Sequence, residues 1–516
     1  MFLKKMFRTI GKYRAQFISM IIMIALGVGV FLGFNMEWVS ISENTAKFLK
    51  DSRFADYRIV DEKGFSAADA EKIRGIGGVS AAARYISVNA EVAGTENSLA
   101  LTVTEDPAVS LFVVSSGEGY DAESVGDLWL FEKYAEKNGV NVGDTLELSY
   151  KGLTVSGTVK GLVMSGEYMI CVRDETQLMP DFKTYGFVYA SPKTLEKAVK
   201  DKYGEVIGSA ALERIYPQIN VIGDLAKTEI SDRASEVLGK TVLVLGKEEN
   251  ISYSEAKGEE SEGKTMGMVL PVVFLAIAVL TMVTTMHRLT ANEKIQIGTF
   301  KALGFKDGKI ARHYTSYALF IGLFGSAIGI GIGYLVAWYI MNPKGMMGTY
   351  ISMPEWKLYM PWWCAAIIIA IVAFLTLIGF LSVKKMLAGT AADALRPYVP
   401  KKMKKIALEK TGLWKKFGFG TRWNLRDVIR HKSRSFMTLI GIVGCMVLLV
   451  GALGMNDTAK YFIKAFYEDA ALYETRIYVS GNGEKTAAEI NAEARDVAEK
   501  TNGDYSASVS VNITDK

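Results

Sequence analysis

From Met266 to Met286 the chain reads MGMVLPVVFLAIAVLTMVTTM, 21 residues without an Asp, Glu, Lys or Arg. A helix needs about 20 apolar residues to cross the hydrocarbon core, and a charge at its centre costs several kcal/mol. The stretch therefore reads as a membrane span. Four others share its character: Ala15–Met36, Tyr314–Pro343, Leu358–Val383 and Ser435–Asn456. Half of the 516 residues are hydrophobic, and the mean hydropathy is +0.17. These values predict a helical membrane protein with a substantial polar part.

The net charge of +5 is no nucleic-acid signature, because the basic residues flank the spans. Lys4, Lys5, Arg8, Lys12 and Arg14 precede the first. Arg288, Lys294, Lys301, Lys306, Lys309 and Arg312 lie between the second and third. Residues 384–435 carry fifteen Lys and Arg against three acidic residues, whereas the 343–357 loop has only Lys344 and Lys357. The positive-inside rule then orients all five spans alike, with the N-terminus in the cytoplasm. Residues 1–16 are predicted as an interfacial amphipathic helix, since Leu3, Met6, Phe7, Ile10, Tyr13 and Phe17 recur at helical spacing. Spans follow at 17–38, 266–287, 314–342, 358–383 and 435–456. Residues 39–264 form an outer domain, 288–313 a cytoplasmic loop, and 384–434 a basic cytoplasmic linker. Residues 457–516 begin a second, incomplete outer domain.

The 39–264 insertion has an α/β pattern. Trp38, Ile41, Thr45, Phe48 and Leu49 prolong the first span outward as a helix. Asp56–Val60 is strand-like, Ser66–Asp69 opens a helix running to Arg74, and Gly75–Gly78 ends it. Val79–Val92 predicts one or two strands, Leu128–Asn138 a helix, and 225–239 a helix leading back toward the membrane. Gly143–Asp144 is turn chemistry ahead of strands at Thr145–Tyr150, Leu153–Leu162 and Tyr185–Ala190. A weak repeat is also visible: Phe436–Ile440 opens the fifth span as Phe17–Ile21 opens the first. Thr475–Val479 resembles Tyr57–Val60. Because a half-domain buries little core, the chain is expected to be a fragment or to continue into a second repeat half.

The loop after Met286 reads HRLTANEKIQIGTFKALGF, ending at Phe305. As a helix from Glu293 to Gly304, it is expected to align Ile295, Ile297, Phe300 and Leu303 on one face, with Ala302 near the edge. Lys294 and Lys301 would project to the polar side, Gly298 would permit close approach, and Gly304 would end the helix. Exposed apolar residues on a short surface helix call for a partner. In the third span, Gly325, Gly329 and Gly333 make a small-residue ridge for close helix packing, within the chain or with a second copy.

The segment Ile297–Gly304 resembles the I-G-x-x-[KR]-A-L-G signature of FtsX-like permeases, the membrane subunits of MacB-like ABC transporters. Thr285–Leu289 and His313–Tyr317 extend the match. Gly389–Pro397 resembles a further family element, although its usual first Pro is missing. Tyr57–Val92 resembles the start of a MacB-type periplasmic domain, and Met179–Gly186 a segment of Gram-positive members. The resemblance implies five helical spans carrying an outer α/β domain of the MacB periplasmic-core type. It makes Glu293–Gly304 a coupling helix docked on a separate ABC ATPase subunit, which alone binds ATP. The implied function is transduction of ATP-driven motion to the outer domain, to export or extract peptides, lipids or lipoproteins or to activate an outer protein partner. A second permease copy or repeat half would complete the assembly. A membrane-anchored sensor or scaffold that moves nothing is the alternative.

No catalytic residues, metal ligands or cofactor of the chain's own are expected. His287, His313 and His431 lack Cys or His partners at ligand spacing, and the three cysteines are too few for a disulfide framework. Gly258–Thr265 fits G-x-x-x-x-G-K-[ST], yet it holds three glutamates and runs straight into a span. It reads as a flexible acidic linker.

Overall fold

The structure is a computed structural model that describes residues 2–173, 177–387, 391, 414, 417–430, 432–466 and 486–501. All of the Gly389–Pro397 element but Ala391, most of the 384–434 linker, His431 and Thr475–Val479 lie outside the described residues. The chain divides into two units, Met1–Gly441 and Ile442–Lys516. Among the described residues, five helices are long and apolar enough to cross a membrane.

The first unit opens with α1 (Phe2–Lys12), separated at Tyr13 from α2 (Arg14–Asp51). The α/β domain follows. Its elements are β1 (Tyr57–Val60), α3 (Ala67–Arg74), β2 (Val79–Val92), β3 (Ser98–Thr104), β4 (Val113–Gly117), β5 (Asp127–Phe131) and α4 (Glu132–Asn138). Next come β6 (Thr145–Tyr150), β7 (Leu153–Met164), β8 (Tyr185–Ala190), α5 (Pro192–Tyr203), α6 (Glu205–Glu213), β9 (Gln218–Gly223), α7 (Lys227–Leu238) and β10 (Leu243–Gly246). The chain then returns through α8 (Ile251–Asn292), α9 (Lys294–Ala302), α10 (Asp307–Ile340), α11 (Met346–Tyr350), α12 (Trp362–Leu387) and α13 (Phe419–Arg430). The second unit holds the apolar end of α14 (Lys432–Lys464) and α15 (Ala487–Thr501).

Ten strands form one mixed sheet in the order β10-β1-β9-β2-β3-β8-β5-β7-β4, with β6 on β2 and β7. β3 runs parallel to β8 and β5 parallel to β7, while the other pairs are antiparallel. Burial follows position. β8 lies between β3 and β5, and all six of its residues are buried. β6 turns Leu146 and Leu148 inward and Thr145 and Glu147 outward, the alternation of a strand with one wet face. Two apolar cores result. One, around Ile59, Ile73, Ile219 and Ile230, joins β1 and β9 to α3 and α7. The larger one, around Trp129, Tyr134, Phe187 and Tyr189, also takes in Ile41 and Phe48 of α2.

Three expectations need correction. Leu128–Phe131 is strand, because its apolar run is buried between β7 and β8, and only Glu132–Asn138 is helix. α7 does not lead back to the membrane: Ile230 and Ala234 bury it on the sheet, and β10 follows. Gly258–Thr265 is no flexible linker but lies within the continuous helix α8. No phosphate-cradling loop exists there. The α3 start agrees with its sequence. Ser66 Oγ accepts from Asp69 N–H, and the Asp69 carboxylate accepts from Ser66 N–H in return.

Candidate coupling site

α9 is a nine-residue helix held at both ends. At its start, Glu293 breaks the path from α8 and is 5% exposed. A buried carboxylate is costly unless it is paired and hydrogen-bonded. Glu293 gathers three elements to meet that demand. Its Oε2 accepts from Tyr314 Oη of α10 at 2.6 Å and lies 3.2 Å from Lys5 Nζ of α1. Its Oε1 accepts from Thr9 Oγ1 of α1 at 3.2 Å. The Lys5 ammonium also sits 4.7 Å from the ring centroid of Phe300 on α9.

At the other end, Gly304 N–H donates to Lys301 O and Phe305 N–H donates to Phe300 O, both at 3.0 Å. This pair is a Schellman closure, and it needs the positive φ of +83° that Gly304 supplies. The Phe300 and Phe305 rings meet edge to face at 5.6 Å, the apolar contact that accompanies such an end. Lys301 does not project to a polar side. Its Nζ donates to Leu387 O at the end of α12 at 2.6 Å and pairs with Asp307 at 2.9 Å.

The four apolar residues expected on one face are divided. Ile297 is 6% exposed and Gly298 is buried, with Phe300 half-buried beside them against the helical core. Ile295 and Leu303 point outward, 67% and 69% exposed, among exposed Lys294, Gln296, Thr299 and Ala302. The reason is angular. Residues two apart on an α-helix diverge by about 200°, so Ile295 and Ile297 cannot share a face. The available surface is the Ile295–Thr299–Ala302–Leu303 stripe.

Behind α9, the long helices pack closely. Gly325, Gly329 and Gly333 of α10 face α2. A Cβ added to each would lie 2.8, 2.7 and 2.7 Å from the Cβ atoms of Ile24, Val28 and Leu32. The relation is mutual, because Gly29 and Gly33 of α2 face Ile332 and Val336, a complementary pair the sequence reading passed over. The α10 ridge is therefore filled within the chain.

Beyond the spans, α2 and α8 continue into the α/β domain and meet a second buried carboxylate. Glu167 accepts from Arg58 Nη2 at 2.6 Å, Ser110 Oγ at 2.8 Å and Ala55 N–H at 3.3 Å. It also accepts from Nδ2 of Asn250, the α8 N-cap, at 3.3 Å. The segment between α10 and α12 straps this junction. Asn44 of α2 donates to Lys357 O at 2.8 Å and accepts from Lys357 N–H at 3.2 Å. Ser352 N–H donates to Met169 O at 2.8 Å, and Tyr350 Oη donates to Glu255 of α8 at 2.7 Å. Lys133 donates to the carbonyls of Gly348 and Ile351. Met341, Ile351 and Met353 join the larger core of the α/β domain.

Residues 268–391, from the α8 span through α9, α10 and α12, match the FtsX-like permease C-terminal family. No curated protein matches the chain. Among solved structures, it is similar to the extracellular domain of the noncanonic ABC-type transporter YknZ from Gram-positive bacteria. The identity is 12% and the TM-score 0.25, over 37% of this chain and 100% of that one. It is likewise similar to the periplasmic region of MacB from Actinobacillus actinomycetemcomitans, at 13% identity and TM-score 0.25, over 42% of this chain and 98% of that one. The matching segment includes the doubly anchored helix and three candidate spans, so residues 268–391 form an FtsX-like permease C-terminal domain, within a multi-pass membrane protein that carries an α/β domain between its first two candidate spans.

Proposed function

We propose that the chain is the transmembrane subunit of an ABC transporter and that α9 is its docking element for a separate ATPase subunit. The observation that carries this reading is the exposed Ile295–Leu303 stripe on a helix otherwise anchored to α1, α10 and α12. A helix so fixed moves with the whole bundle when pushed. In this reading α9 and the N-terminus lie in the cytoplasm, as the Lys and Arg distribution supports, and the α/β domain lies outside. Motion passes from α9 through the tightly packed α2 and α10 to the Glu167 junction, and from there to the outer domain. The work done there is transport of a peptide, lipid or lipoprotein, or activation of an outer partner.

The test is co-purification of the co-expressed ATPase with Ile295→Asp and Leu303→Asp. Burying one large apolar side chain is worth roughly 1.5–3 kcal/mol, so each change should weaken the complex at least about tenfold. Membrane expression should stay normal, because both side chains are exposed. Normal co-purification with both variants would remove the ATPase from this face and favour a sensor or scaffold. Ile297→Asp is the wrong probe, since it would charge the protein's own core.

A further inference from the structure

The α/β domain contains a cavity of about 340 Å³ that no part of the coupling path uses. Ile86 and Val88 of β2 and Leu101 and Val103 of β3 form its floor, and Leu195 and Val199 of α5 form one wall. This lining is apolar, and the volume falls at the lower end of small-molecule sites.

The mouth has the opposite character. Lys151 and Lys202 both border the cavity and are exposed. Lys202 Nζ donates to Lys151 O at 2.8 Å, and its ammonium lies 4.9 Å from the Tyr203 ring centroid. The Lys151 ammonium lies 5.4 Å from the ring centroid of Tyr150. Among the described residues neither lysine forms an ion pair with a carboxylate. The β6–β7 turn consists of Lys151 and Gly152, with φ of +46° and +75°. Two-residue turns of this kind favour Asn, Asp or Gly at both positions, so a lysine there is held at a conformational cost. Two uncompensated cations thus stand over a greasy slot with room for one chain.

We propose that this cavity binds a single-chain anionic amphiphile, its acyl tail against Val88, Leu101 and Val199 and its carboxylate or phosphate head between Lys151 and Lys202. The proposal gives the transporter reading a ligand class. Its test needs no ATPase, so the two fail separately.

The full chain is reconstituted in lipid nanodiscs and irradiated with a diazirine-bearing dodecanoic acid, then with the matching dodecanol. Labelled peptides are mapped by mass spectrometry, and peptides of the spans serve as an internal control for probe in the bilayer. The acid should label peptides covering 86–103 and 195–203 well above the alcohol. The double variant Lys151→Glu/Lys202→Glu should lower that labelling by about fivefold to tenfold and leave the spans unchanged. Val88→Trp should block the slot while keeping both lysines. Should that variant fail to fold, the charge reversal at two exposed positions still carries the test. Equal labelling by acid and alcohol, unchanged labelling in the charge-reversed chain, or labelling no stronger than on the rest of the domain would each overturn the proposal.

Discussion

Two buried glutamates stand at opposite ends of α8, and they are not equivalent. Glu293 gathers Lys5, Thr9 and Tyr314, which reach it from helices otherwise held by apolar packing. Glu167 gathers a guanidinium, a hydroxyl, a backbone N–H and the Asn250 cap, inside a junction that the α10–α12 strap also ties. Both cationic ends are buried, but the side chains that carry them differ in exposure. The Lys5 side chain keeps 20% of its surface exposed, while that of Arg58 keeps 8%. An ammonium on a flexible stem can swing out to solvent when its partner is lost. A buried guanidinium cannot, and it remains as an uncompensated charge. The Glu293 junction can therefore be released at lower cost than the Glu167 one.

The largest effect should come from Glu167→Ala. Stranding Arg58 should cost about 3–5 kcal/mol, read as thermal unfolding of the α/β domain within the full chain. A loss under about 1 kcal/mol would mean that Arg58 finds water, and the contrast with Glu293 would collapse. Glu293→Ala should cost less, about 1.5–3 kcal/mol for hydrogen bonds to a charged group. Its distinctive sign should be release of α1, seen as faster tryptic cutting after Arg8 and Lys12 while the α/β domain keeps its protection. Equal protection of α1 in variant and parent would break the idea that Glu293 is its anchor.

The strap should respond to pH. Burial lowers the Lys133 amine to about 8 from its ordinary 10.5. Below pH 8 both folded and unfolded chains hold this proton, and above 10.5 neither does. Between those values the unfolded chain binds more protons, so the Lys133 contribution to stability rises with pH. The stability difference between the parent chain and Lys133→Met should therefore shift in the parent's favour from pH 8 to 10.5. A flat difference across that window would show that the amine is already well solvated against the strap.

Much of this molecule is local in origin and was legible without coordinates. The apolar runs, the basic residues beside them, the Ser66–Asp69 box and the Gly304 helix end depend on residues a few positions apart, where spacing alone carries the physics. The strand at Leu128–Phe131 was misread because four apolar residues fit a helix as well as a buried strand until neighbours are known. Which side of α9 faces outward was decided by Lys5 and Thr9, nearly 300 positions earlier in the chain, and by the Leu387 carbonyl. Gly29 and Gly33 gained meaning only when α10 lay against them. The Glu167 junction, the strap and the lysine-rimmed cavity all join segments whose separation in sequence leaves no periodic trace. Sequence determined which segments enter the membrane and where helices stop, because hydrophobic transfer and capping act over short range. Tertiary structure alone decided which polar groups are buried together, because a buried charge is tolerated only where distant parts of the chain bring it partners.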